Sequence, residues 1–183
     1  MSDTDARPMI LPDIQSAVTE NEAYALADLA RGKTVLELGA WTGFSTVVLA
    51  SVASRLTSVD WHQGDDHAGR MDTWELFTGN LARYGVDGRV EVIRERFEDA
   101  LPRLAAGGHL FEGCFLDAQH DAASVTRDVG LALPLIVPGG FLAFHDYGRS
   151  AETGNPGFQV TEVADELIGI TGRTGFLGWG YVK

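Results

Sequence analysis

The chain is short of several things, and each shortage closes off a class of protein. Cys114 is the single cysteine among 183 residues, so no internal disulfide can form. Its apolar neighbours mark it as a small buried hydrophobe, not a reactive thiol. Basic residues number 14 against 26 acidic ones, a formal net charge of -12, and they are scattered. A nucleic-acid backbone needs clustered Lys and Arg, so general nucleic-acid binding is excluded. No apolar run approaches a membrane span, and the polar, acidic first residues lack the basic and apolar regions of a secretory leader. A soluble, cytoplasmic protein is expected, with no internal repeat, low-complexity tract or linker. With 45% hydrophobic content, a chain of this length builds one core and leaves nothing for a separate substrate domain.

The middle glycine of a dinucleotide site is also missing. The stretch Val35-Leu36-Glu37-Leu38-Gly39-Ala40-Trp41-Thr42-Gly43 reads as a buried strand, a tight turn and the entry to a helix over 45–53. In Gly-x-Gly-x-x-Gly the second glycine clears room for a pyrophosphate. Here that place is Trp41. A carboxylate at Glu37 would repel a pyrophosphate and suits a ligand that carries an ammonium group. Such strand-turn-helix junctions are where α/β proteins bind cofactors.

The same alternation continues along the chain. Thr19 and Glu22 form a capping box for a helix with Ala23, Leu26, Ala27 and Ala30 on one face, ended by Gly32. Strands are expected over 33–38, 55–60, 90–93, 110–117 and 141–145, the last entered by a turn at Pro138-Gly139-Gly140. Helices are expected over 72–84 and 121–136, the first with a core stripe of Trp74, Phe77, Leu81 and Tyr84, the second with Ile136 in its stripe. Another helix carries Pro102 early enough to be tolerated. Residues 1–18, with Pro8 and Pro12, read as an extended arm: a disordered end, a flap over the site or a dimer contact. His62, Asp65, Asp66 and His67 lack the fixed spacing of a metal site and read as a solvated loop. Residues 148–157 read as a loop beside the site, 160–168 as a short helix and 170–183 as a glycine-punctuated hairpin.

Glu37-x-Gly39-x-x-x-Gly43 after a strand, Asp60 at the tip of the next, and Pro138-Gly139-Gly140 opening a late one together resemble a class I S-adenosylmethionine-dependent methyltransferase, from about Thr19 to the end. Phe115-Leu116-Asp117-Ala118-Gln119-His120 and Phe144-His145-Asp146-Tyr147 are similar to small-molecule O-methyltransferases that act on sugars and other hydroxylated metabolites, often with a divalent metal. The resemblance implies an α/β fold: a single Rossmann-like seven-stranded sheet, mostly parallel with an antiparallel C-terminal hairpin, and helices on both faces. One methyltransferase domain is expected over 1–183, with 1–18 as N-terminal arm and 19–183 as core. The implied cofactor is S-adenosylmethionine, its methionine part against Gly39, Ala40, Trp41 and Gly43, with Glu37 facing the ammonium. Asp60 is placed to accept both ribose hydroxyls and Trp61 to pack on the nucleoside; Arg96, Phe97 and Glu98 would surround the adenine, and Asp117 is among the cofactor contacts.

Methyl transfer to oxygen is an in-line displacement, and a neutral hydroxyl is a poor nucleophile that needs a base or a bound cation. Asp117 and Asp146 end neighbouring strands in the expected sheet, and two facing carboxylates call for a proton or cation between them. By resemblance Asp117, His145 and Asp146 hold a metal, Mg2+ or Mn2+. His145 departs from the usual oxygen ligand and would shift preference toward Mn2+, Fe2+ or Zn2+. His120, three residues past Asp117, matches the family's general base, so His120, Asp117 and Asp146 are the candidate catalytic set. The expected partner is a small hydroxylated substrate, with neither nucleic acid nor membrane; a homodimer could supply a lid. Rival readings are a nicotinamide-dependent oxidoreductase and a non-catalytic module that only holds cofactor.

Overall fold

The computed structural model describes residues 8–65 and 69–183. The first seven residues of the expected arm, and Asp66 and His67 of the polar loop, lie outside them. Five parallel strands carry the fold: β1 (Thr34–Leu38), β2 (Arg55–Val59), β3 (Val90–Ile93), β4 (Phe111–Leu116) and β5 (Ile136–Phe144). A final hairpin, β6 (Gly172–Thr174) and β7 (Leu177–Tyr181), adds through β7 antiparallel to β5. The order across the sheet is β3-β2-β1-β4-β5-β7-β6. The chain therefore reverses direction across the sheet between β1 and β4, and the carboxyl ends of these two strands flank the switch point where ligands bind in such sheets.

The alternation of side chains along each strand sorts the core into two faces. Val35, Phe115, Phe141 and Ala143 face the layer of α1 (Glu20–Ala30), α2 (Phe44–Val52) and α3 (Trp74–Arg83). Leu36, Leu38, Cys114, Leu116, Leu142 and Phe144 face α4 (Phe97–Ala106), α5 (Ala122–Ala132) and α7 (Val160–Leu167). Fully burying each such side chain is worth about 1.5–3 kcal/mol, so both helical layers are held firmly to the sheet. Cys114 is buried, as its neighbours led one to expect.

Four elements depart from the sequence-based expectations. Ile136 opens β5 instead of extending α5, because Pro134 ends that helix in a 3-10 turn, Leu133–Leu135, and Pro138-Gly139-Gly140 lies within the strand. Pro102 is the sixth of ten residues in α4, so it removes a donor from the middle of the helix. Residues 148–157 contain a short helix, α6 (Arg149–Thr153). His62 is not solvated: it is 2% exposed, its Nδ1 lies 2.9 Å from Thr73 Oγ1, and its ring packs 4.5 Å from Phe77 and 5.3 Å from Trp74.

Residues 9–14 of the arm lie against the core, with Ile10 N donating to Ser51 Oγ and Asp13 N to the Tyr84 hydroxyl. The capping box of α1 is present, Thr19 N donating to Glu22 Oε2 at 2.6 Å and Glu22 N to Thr19 Oγ1 at 3.4 Å. No helix of the described residues is long and apolar enough to cross a membrane.

Candidate active site

The carboxyl ends of β2, β1, β4 and β5 are laced to one another by the first residue after each strand. Asp60 N donates to Ile93 O, Gly39 N to Val59 O, Asp117 N to Leu38 O and His145 N to Leu116 O, at 2.9–3.1 Å. This lacing fixes the acids that follow the strands. They line a cavity of about 600 Å3 together with the turn after β1, the start of α4, part of α5 and residues 16–18 of the arm.

Gly39 makes the turn possible. Its φ is +89°, and a Cβ there would stand 1.9 Å from the Asp117 carbonyl oxygen, so only glycine lets β1 and β4 close on each other. Trp41, His62 and Asp146 are the non-glycine residues of the described chain with left-handed φ, and all three border the cavity. Backbone strain of this kind gathers at sites whose surroundings hold it in place.

Asp60 reaches back to the turn. Its Oδ2 accepts from the amides of Ala40 at 2.8 Å and Trp41 at 3.0 Å, and its Oδ1 from His62 N at 2.7 Å. Three of the roughly four acceptor positions of a carboxylate are thus taken, which leaves one for a hydroxyl instead of the expected two. Trp61 lines the cavity with Arg96 over its ring at 3.8 Å, and its indole N–H donates to Gly64 O. Phe97 and Glu98 open α4 on the same wall.

Glu37 does not border the cavity. It shares the strand face of Val35, so its side chain runs under α2, fully buried. Ser45 Oγ donates to Oε1 at 2.6 Å, and Thr46 Oγ1 and Ser58 Oγ donate to Oε2 at 2.7 Å each. Burial pushes the group up to about 7 although the three hydroxyls pull it down. The expected facing of Glu37 to an ammonium gives way to a bolt between β1, β2 and α2.

At the ends of β4 and β5 the side chains converge. His120 Nε2 lies 2.8 Å from Asp146 Oδ2, and Arg149 Nη1 donates to Asp146 Oδ1 at 2.5 Å. His145 is 2% exposed, its Nδ1 3.3 Å from Asp146 Oδ2 and 3.5 Å from Asp117 Oδ1, its Nε2 3.7 Å from Glu22 Oε2. Burial works against its charged form, but Asp117, Asp146 and Glu22 outweigh it and raise the imidazole to about 12. Burial would raise Asp146, yet His120 and His145 hold it well below the usual carboxylate range. His145 is therefore a caged cation that screens three carboxylates, not a ligand offered to the cavity.

The His120 loop is braced from both sides. Asp121 caps α5 by accepting from Ser124 N, Gln159 N donates to His120 O, and the Phe158 ring lies 4.6 Å from the imidazole. Arg149 in turn sits over Phe158 at 5.3 Å and Phe176 at 5.0 Å. For a divalent ion the converging set is Asp117, His120 and Asp146, whose ligand atoms all lie within 4.8 Å of one another. In kind and spacing this set fits such an ion, but with His120 where the sequence suggested His145.

Glu22, Arg149 and Asp128 went unrecognised in the sequence as parts of this site. Glu22 was legible as a capping residue, but its Oε1 also accepts from Phe176 N, and burial notwithstanding, His145 and the amides of Thr19 and Phe176 lower it to about 2. Arg149 follows Asp146 at helical spacing. Asp128 is a charge inside the apolar stripe of Val125 and Val129, the one signal that could have marked it.

Residues 36–147 match the family described as a methyltransferase domain. A catechol O-methyltransferase of Mycobacterium tuberculosis is 34% identical over 99 residues, 52% of this chain and 40% of its own length, so the match spans well under half of that relative. The fold is similar to that of the O-methyltransferase TomG from Streptomyces achromogenes, involved in tomaymycin synthesis and solved with SAM. The TM-score is 0.69 at 23% identity, covering 91% of this chain and 82% of that one. It is also similar to cofactor-bound Rv0187 from MTB, with a TM-score of 0.66 at 27% identity over 92% of this chain and 81% of the other.

Proposed function

The chain belongs to the methyltransferase domain family, and on that premise we propose that it moves a methyl group from S-adenosylmethionine to a hydroxyl of a small metabolite. The observation that carries the reading is the Asp146-His120 pair, 2.8 Å apart, at the cavity wall beside Asp117. The relatives' printed activities, O-methyltransferase and catechol O-methyltransferase, and the SAM held by TomG agree with it. The net charge of -12 supports a small acceptor over a nucleic acid.

The turn at residues 39–43, with Asp117, would take the methionine part of the donor; Asp60 would accept from the ribose, and Trp61, Arg96, Phe97 and Glu98 would flank the base. The new O–CH3 bond forms as the S–CH3 bond breaks, the bonding pair stays on sulfur, and the hydroxyl proton passes to His120. The Asp146 carboxylate holds the ring and stabilises the imidazolium that results. Arg149 and His145 keep Asp146 ionised throughout, so it orients the base without taking the proton. Aromatic walls from Trp41, Phe44 and Phe158 exclude water from the reacting atoms.

A second reading rests on the convergence of Asp117, His120 and Asp146. A metal bound there would lower the pKa of a hydroxyl that it holds, and the nitrogen in the set favours a first-row ion such as Mn2+ over Mg2+. His120 cannot serve as base and ligand at once, which makes the two readings separable. With a hydroxylated acceptor, His120→Gln should lower kcat about 10^2- to 10^4-fold while S-adenosylhomocysteine affinity is kept, and chelation should leave the wild-type rate unchanged. Loss on chelation with recovery on Mn2+ would make His120 a ligand. Full turnover by the variant would remove it from the chemistry.

A further inference from the structure

Asp128 is an acid that the transfer chemistry leaves unused. It lies on the buried face of α5, 0% exposed, and borders the cavity. Its Oδ1 accepts from Arg127 Nε and lies 2.9 Å from Arg127 Nη2, whereas its Oδ2 meets no donor among the described residues. A buried carboxylate oxygen without a donor is rare and costly in a folded protein. Burial pushes the group up to about 6 even though Arg127 opposes it, as expected for an acid that lacks a second partner.

The neighbours say which part of the donor meets it. Arg127 Nη1 holds Glu98 Oε1 at 3.2 Å, so Glu98, Arg127 and Asp128 lie along the wall made by the start of α4 and by α5, next to Phe97. The Glu98 side chain is 44% exposed and is satisfied by water and Arg127. Asp128 has neither recourse. We propose that Asp128 Oδ2 accepts a hydrogen bond from the exocyclic amino group of the donor's adenine, which makes this residue the one that selects a 6-amino purine. The proposal rests on the S-adenosylmethionine reading above. A fixed, dry acceptor binds an N–H and rejects a 6-oxo purine, whose oxygen would face it with no proton between.

Titration calorimetry at pH 8 with S-adenosylhomocysteine and S-inosylhomocysteine, in which oxygen replaces the 6-amino group, tests this. The wild type should prefer the adenine ligand at least about tenfold. Asp128→Asn, nearly isosteric, should lose that preference, and Glu98→Gln should keep it. Equal affinities in the wild type, or an unchanged preference in Asp128→Asn, overturn the proposal and leave the donor reading standing. Heat with neither ligand in the wild type overturns the donor reading and this proposal with it. If Asp128→Asn does not fold, Asp128→Ser carries the same expectation, and retention of the wild-type preference in that variant overturns it.

Discussion

Glu37 brings an ionisable group where water does not reach, and three hydroxyls are all it has to replace the lost hydration. Its folded value of about 7 lies above the ordinary 4.5, so between those two values the unfolded chain gives up its proton first. Stability contributed by protonated Glu37 is therefore present below about pH 4.5 and lost as pH rises toward 7. Asp128 acts in the same direction between 3.8 and about 6. Glu37→Gln should flatten the fall of Tm between pH 4.5 and 7, measured by calorimetry across that range. A fall as steep as in the wild type would mean that Glu37 stays ionised. At this scale the sequence disclosed which residue types matter but not where they point. Glu37 was readable as the acid before the turn, yet its strand parity with Val35 turns it under α2. His145 was readable as part of the site, yet its cage of Asp117, Asp146 and Glu22 comes from three separate segments.

The turn after β1 and the loop after β4 act as one element because nothing larger than hydrogen fits between Gly39 and the Asp117 carbonyl. Gly39→Ala would meet both that oxygen and a positive φ, and should cost about 2–4 kcal/mol in a denaturant melt with loss of S-adenosylhomocysteine binding. A stable variant that still binds would show that β1 and β4 need not close. Elements with strong local signals were the legible ones: the Thr19 capping box, the strand at Val90–Ile93 and the final hairpin. The error at Ile136 came from apolar spacing that suits a helix and a buried parallel strand equally, with Pro134 as the feature that decides. The short α6 was hidden because glycines bracket it at Gly148 and Gly154.

For the molecule as a whole, the strand order β3-β2-β1-β4-β5-β7-β6 brings acids far apart in the chain to one edge of the sheet. That gathering was foreseeable from the succession of strands and helices, since the strands flanking the switch point must end together. What the chain order could not disclose is the charge balance of the site. Three carboxylates, Glu22, Asp117 and Asp146, face two cations, His145 and Arg149, with His120 at the cavity wall. The reading of the molecule depends on a sulfonium donor lodged against the turn of residues 39–43. Titration of the wild-type protein with S-adenosylhomocysteine, and separately with NAD, measures this directly. Saturable binding of one S-adenosylhomocysteine per chain and no heat with NAD are predicted. Silence with S-adenosylhomocysteine, or saturation by NAD in its place, would contradict the account.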